Sequence, residues 1–193
     1  MQMSNWKKEV MTIPNFLSIF RLSMIPVYMH LFLNAKSSYQ YFIAGVILTI
    51  SCLTDALDGI IARRFHMIST LGKILDPLAD KLTQFALMVS LSVRYSSLSF
   101  VLLLFLFKEI FQLTLGIINL QHHKILPGAL PEGKICTAVL FSSLIFLVFF
   151  PQIHPGVVTA IAWMNAFFLT VSFISYFLAY FGKNPQVQDF FLE

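Results

Sequence analysis

The sequence predicts an all-α integral membrane protein, a bundle of six transmembrane helices with both termini in the cytoplasm. Three observations predict it. Apolar residues make up 58% of the 193-residue chain and charged residues only 11%. The mean hydropathy is +0.79. Long apolar runs recur between short polar breaks, and they match the roughly 20 residues a helix needs to cross about 30 Å of hydrocarbon. A soluble core of this size has too little interior to hide so much apolar surface. The 21 phenylalanines suit lipid-facing positions.

The elements follow in order. Residues 1–12, with Lys7 and Lys8, read as a short cytoplasmic segment. No small-residue cleavage site follows, and the first apolar run carries Arg21, so a cleaved signal peptide is not expected. Helices are placed at about 15–34, 39–63, 70–93, 97–120, 133–150 and 156–181, with Asn15 as the cap of the first. Connections at 35–38, 94–96 and 151–155 are short. The longest, 121–132, holds Pro127, Gly128 and Pro131, which break helices. No internal repeat or second soluble domain is visible, so 1–193 reads as a single membrane domain.

Charge placement sets the orientation. One side gathers Lys7, Lys8, Arg63, Arg64, Lys73, Lys124, Lys134 and Lys183, and the other has Lys36 and Arg94. The protein is therefore expected in the cell (plasma) membrane with its charged side facing the cytoplasm. No nucleic-acid partner is expected. Cys52 and Cys136 lie in apolar runs without CxxC spacing, which predicts two buried thiols rather than a disulfide or a zinc site. His122 and His123 beside Lys124 read as a solvated turn.

One stretch departs from this apolar pattern. "TDALDGIIARRFHMISTLGKILDPLADK", residues 54–81, carries Asp55, Asp58, Asp76 and Asp80, four of the nine acidic residues. A central Asp costs about 2.5–3.5 kcal/mol on insertion scales, so intramembrane acids face the bundle interior and serve function. At about 100° per residue, Asp55, Asp58, Gly59 and Ala62 share one arc. Gly72, Asp76 and Asp80 follow at i, i+4, i+8 on the next helix. Four carboxylates in low dielectric repel unless some are protonated or cations neutralise them. An all-oxygen donor set suits Mg²⁺ or Mn²⁺ rather than zinc. Four negative charges balance two divalent ions, the arrangement that clamps a phosphoryl transfer. Asp55 lies roughly 12 Å below Arg63 along the helix, near lipid phosphate depth on the cytoplasmic side. Gly59 and Gly72 permit close approach of a ligand or of a partner helix. Ala62 suits either role. Pro77 is expected to loosen the third helix and free a backbone carbonyl beside the site.

These residues spell D-x-x-D-G-x-x-A-R, eight further residues, then G-x-x-x-D-x-x-x-D. The pattern resembles the signature of the CDP-alcohol phosphotransferases, with every fixed position filled. The resemblance implies roles residue by residue. Asp55, Asp58 and Asp76 would bind two divalent metals, Mg²⁺ or Mn²⁺, that hold the diphosphate of CDP-diacylglycerol. Asp80 would sit at the same metal site and act as general base on the acceptor hydroxyl, with CMP expelled. Gly59, Ala62 and Gly72 would shape the nucleotide pocket, and Arg63 would orient the diphosphate or the aspartates. Related enzymes are commonly homodimers, so a homodimer is an expectation too.

The acceptor must be read elsewhere. "TIPNFLSIFRLSMIP" and "LGKILDPLADK" resemble phosphatidylglycerophosphate synthases and CMP-forming cardiolipin synthases alike. Candidate acceptor-binding residues are Arg21, Lys73, Lys81, Lys108 and Lys134. Arg21 faces either a substrate phosphate or one of the aspartates. Lys81 has snorkelling to the interface as its alternative. "LFKEIFQLTLG" resembles the Arg-Glu segment of the glycerol-phosphate enzymes, with Lys108 for the first Arg and Gly116 where a further Arg belongs. "EGKICTAVL" keeps Gly133, Lys134 and Thr137 of a G-K-x-K-T segment and puts Cys136 at its second Lys. Adjacent helical residues do not face each other, so no ion pair is expected between Lys108 and Glu109, and at least one of them is expected to point into the site.

The leading expectation is phosphatidyl transfer to glycerol-3-phosphate. The nearest alternative is cardiolipin formation with phosphatidylglycerol as acceptor, and the two lost basic positions suit it. Other classes are an ion or proton transporter and an inactive scaffold. Transporters tend to repeat broken helices in two halves, and only one half here is acidic.

Overall fold

The computed structural model describes residues 13–64, 72–121 and 130–181, and the side chains of 16–54, 76–116, 118 and 130–180. Six helices fill these ranges: α1 Ile13–Leu33, α2 Ser38–Arg64, α3 Gly72–Arg94, α4 Ser97–Gln121, α5 Pro131–Phe149 and α6 Pro155–Phe181. Among the described residues there is no strand. Among the described residues, four segments are long and apolar enough to cross a membrane: Phe16–Leu33, Ser97–Gly116, Pro131–Phe149 and Pro155–Tyr180. A shorter apolar run, Ser38–Thr54, covers the part of α2 whose side chains are described. These segments fit an integral membrane protein.

Two helices start two residues earlier than expected. α1 begins at Ile13, so Asn15 lies in its first turn and not ahead of it. α5 begins at Pro131, inside the segment expected to be a connector. Proline is tolerated at the first helical position, because that N–H has no intrahelical acceptor and the ring presets φ. Pro155 opens α6 in the same way. Pro77 lies inside α3, which continues through it. Its missing N–H leaves the carbonyl four residues earlier without the usual donor.

The chain divides into two compact units, Met1–Leu91 with Ile145–Gln152, and Ser92–Leu144 with Ile153–Glu193. In the first unit, α1 and α2 pack together. Tyr28, Phe32 and Tyr41 form an aromatic run with centroids 5.7 and 5.1 Å apart. The turn between the helices is fixed by a capping box. Ser37 Oγ accepts from Gln40 N at 3.4 Å, and Gln40 Oε1 accepts from Ser37 N at 3.2 Å and Lys36 N at 2.6 Å. Gly45 lets the Phe149 ring lie against α2, since a Cβ there would come within 3.0 Å of it. α3 is strongly two-sided. Ala79, Thr83, Leu87, Ser90 and Leu91 are buried, whereas Leu78, Leu82 and Phe85 are exposed.

In the second unit, α4 packs on α6. Leu98, Val101 and Phe105 are buried on α4, and Val158, Ala162 and Leu169 on α6. Phe173 bridges Phe107 and Phe111 at 5.4 and 4.8 Å. A buried polar clasp joins α5 to α6. Asn165 Nδ2 donates to Ser143 Oγ at 2.8 Å and to Ile161 O at 3.0 Å. The outward residues of this unit, Phe100, Leu103, Phe107, Trp163 and Phe167, are large and apolar, as lipid contact demands.

Candidate active site

Asp76 and Asp80 stand one helical turn apart on α3, so their carboxylates project from one side. Ser18 and Arg21 stand three residues apart on α1 and share a face for the same reason. The two faces meet in register. Ser18 Oγ donates to Asp76 Oδ1 at 2.5 Å, and Arg21 Nη1 donates to Asp80 Oδ1 at 2.7 Å. Both are charge-assisted contacts at the short end of their range. Ser18 and Arg21 are fully buried, at 0% and 1% exposure. The Asp80 carboxylate keeps 53% of its surface open, so the ion pair is buried on one side only.

Of the two readings of Arg21, the structure therefore gives the aspartate partner. Ser18 reaches one of these acids, and the motif pattern does not single it out. A signal for it exists, because it lies three residues before the one intramembrane arginine of α1 and so on the same face.

Asp55, Asp58, Gly59, Ala62 and Arg63 belong to α2, and Gly72 and Lys73 open α3, but their side chains lie outside those described. Among the described residues no three His, Cys, Asp or Glu side chains converge. The chemistry of Asp76 and Asp80 fits a hard divalent ion. Both are carboxylates held to a fixed helix face, and hydrogen-bonding donors of this kind orient metal ligands. Lys81 follows Asp80 and is half-buried.

In the second unit, the expectation for Lys108 and Glu109 is corrected. Lys108 Nζ donates to Glu109 Oε1 at 2.8 Å, and their side chains are only 5% and 14% exposed. Backbone directions about 100° apart do not prevent this, because both side chains are long enough to bend together. Away from water, an ammonium takes the nearest carboxylate. The same Nζ lies 5.9 Å above the ring of Tyr176. Tyr176 Oη accepts from Leu130 N at 3.2 Å, ahead of the first turn of α5. A Cβ at Gly133 would approach Tyr176 Oη to 2.7 Å. Gly133 is thus required by packing, and Lys134 beside it is exposed. At Gly116 a Cβ would meet nothing within 4 Å among the described residues. His122, His123 and Lys124 lie outside the described residues. Both cysteines are thiols outside any disulfide. Cys136 is buried as expected, whereas Cys52 is partly exposed, against the expectation of burial.

Comparison with known proteins adds the lineage. Residues 11–172 match the family profile described as CDP-alcohol phosphatidyltransferase. A relative from Aquifex aeolicus, named CDP-diacylglycerol–glycerol-3-phosphate 3-phosphatidyltransferase, is 36% identical over 141 residues, 71% of this chain and 74% of its own. A cardiolipin synthase (CMP-forming) from Streptomyces coelicolor is 40% identical over 88 residues, 45% of this chain. A Rickettsia typhi protein with the same name as the Aquifex one is 37% identical over 70 residues, 36% of this chain. The chain spans about two fifths of the length of the latter two, 41% and 39%.

Proposed function

Because the chain belongs to the CDP-alcohol phosphatidyltransferase family, we propose that it moves a phosphatidyl group from CDP-diacylglycerol to glycerol-3-phosphate, forming phosphatidylglycerophosphate and CMP. One observation carries this. The complete acidic signature falls on α2 and α3, and the described half of it, Asp76 and Asp80, is aligned and held by α1. The Aquifex relative's name gives the same donor and acceptor.

Asp55, Asp58, Asp76 and Asp80 would hold two divalent ions, Mg²⁺ or Mn²⁺. When bound, such ions supply charge stabilisation on the donor diphosphate. Gly59, Ala62 and Gly72 would leave room for the nucleotide, and Arg63 would steady the diphosphate. Arg21 holds Asp80 through Oδ1, and the open side of the carboxylate takes the proton of the acceptor hydroxyl. The freed oxygen attacks the β-phosphorus, a new P–O bond forms, and the bond to CMP breaks. Lys73, Lys81, Lys108 and Lys134 are the cations offered to an anionic acceptor. The single domain, six membrane crossings, cytoplasmic termini and active site, plasma-membrane location and homodimer complete this reading.

A second reading has its own support. Positions for further basic residues hold Gly116 and Cys136, and Lys108 is already neutralised by Glu109. That charge balance suits phosphatidylglycerol and cardiolipin synthesis, the activity in the Streptomyces relative's name. Purified protein in vesicles containing CDP-diacylglycerol and Mg²⁺ decides between them. CMP release on adding glycerol-3-phosphate supports the first reading. Release with phosphatidylglycerol alone replaces it by the second.

A further inference from the structure

We propose that Ser18 is a positioning residue for the metal-binding carboxylate Asp76. The inference rests on the reading of Asp76 as a metal ligand and extends it to a residue on a different helix. Ser18 Oγ is 2.5 Å from Asp76 Oδ1. An ionised carboxylate only accepts, so the hydroxyl is the donor. Ser18 is 0% exposed, and no bulk water competes for its proton. The bond engages one carboxylate oxygen and leaves Oδ2 for a cation. It also fixes the plane of the carboxylate, which otherwise turns about a soft terminal torsion. Arg21 treats Asp80 in the same manner one turn away. α1 thus presents two donors to two acids at matched spacing.

A hydroxyl placed at random in an apolar helix turns to its own backbone, as those of Thr49, Thr114 and Thr170 do. Ser18 reaches across to another helix, 58 residues away in sequence. Partners of this kind typically tune metal affinity by about 10–100-fold.

The test is Mn²⁺ binding to purified protein in detergent, followed by electron paramagnetic resonance of the free ion. Ser18→Ala is expected to weaken binding by about 10–100-fold. Ser18→Thr keeps the donor and is expected to restore affinity to within a few-fold. The metal-free melting temperature of Ser18→Ala should fall much less than its affinity. Asp76→Asn is the reference for losing the ligand itself. If Ser18→Ala binds Mn²⁺ like the parent while Asp76→Asn does not, the positioning role is wrong and the metal reading stands. Unchanged binding in both variants overturns both. Should Ser18→Ala fail to fold, Ser18→Cys keeps the volume with a weaker donor. An intermediate loss of affinity in it supports the role, and parental affinity overturns it.

Discussion

Gly133→Ala tests the contact that ties the start of α5 to α6. The added Cβ would lie 2.7 Å from Tyr176 Oη and 2.9 Å from Cε2. Both distances are shorter than real Cβ contacts, and the phenol is rigid, so the ring must move. Moving it strains the bond from Leu130 N to Tyr176 Oη and carries the ring away from Lys108. Overpacking costs about 1–3 kcal/mol and a lost hydrogen bond about 0.5–1.5, against a helix-propensity gain of at most about 1. The net expectation is a destabilisation of about 2 kcal/mol, or about 4–8 °C in melting temperature for a chain of this size. Thermal unfolding in detergent measures it. The decisive comparison repeats Gly133→Ala in a Tyr176→Leu background, where the obstructing atoms are gone and the cost should nearly vanish. An equal cost in both backgrounds, or none in the first, would refute the steric argument.

Other expectations follow from the site and from the packing. Asp80→Asn keeps the shape and an oxygen for Arg21 but cannot take a proton, so CMP release should fall by about 10²–10⁴ while the melting temperature holds. Full activity in that variant removes Asp80 from the base role. A Cβ at Gly116 meets nothing within 4 Å among the described residues, so Gly116→Arg should fold. Under the glycerol-3-phosphate reading it should lower the KM for that acceptor and leave the KM for CDP-diacylglycerol alone. Asn165→Leu removes the clasp to Ser143 and Ile161 and should cost about 0.6–2 kcal/mol, the range of interhelical hydrogen bonds in membranes. A melting temperature equal to the parent's would show that the clasp contributes nothing.

The helices are legible in the sequence because lipid forces a simple code of long apolar runs between short polar breaks. The two helix starts that come early, at Ile13 and Pro131, lie where apolarity does not change but helix-end chemistry does. Proline reads as a breaker in general and starts a helix only when it falls in the first turn. The acids of α3 are legible from spacing, because i and i+4 need no knowledge of the tertiary fold. The partners of Ser18 and Tyr176 are not, since they lie 58 and 46 residues away, and spacing from Arg21 gives only the face of Ser18. The expectation for Lys108 and Glu109 fails for a different reason. The rule about adjacent helical residues describes backbone directions in water, and long side chains in an apolar setting override it.

The separation between α1 and its partners also gives the protein a history. A chain emerges N-terminus first, so Arg21 reaches the bilayer before Asp80 has been made, 59 residues later. A central arginine costs about 2.5–3.5 kcal/mol on insertion scales, which the apolar remainder of α1 can carry. When α3 arrives, its acids find their donors already in the membrane. α3, whose acids α1 holds, is therefore expected to depend on α1 for entry. A chain starting at Ser38 should integrate α3 less completely in a glycosylation-mapping assay than one that includes α1. Equal integration would mean that α3 enters on its own.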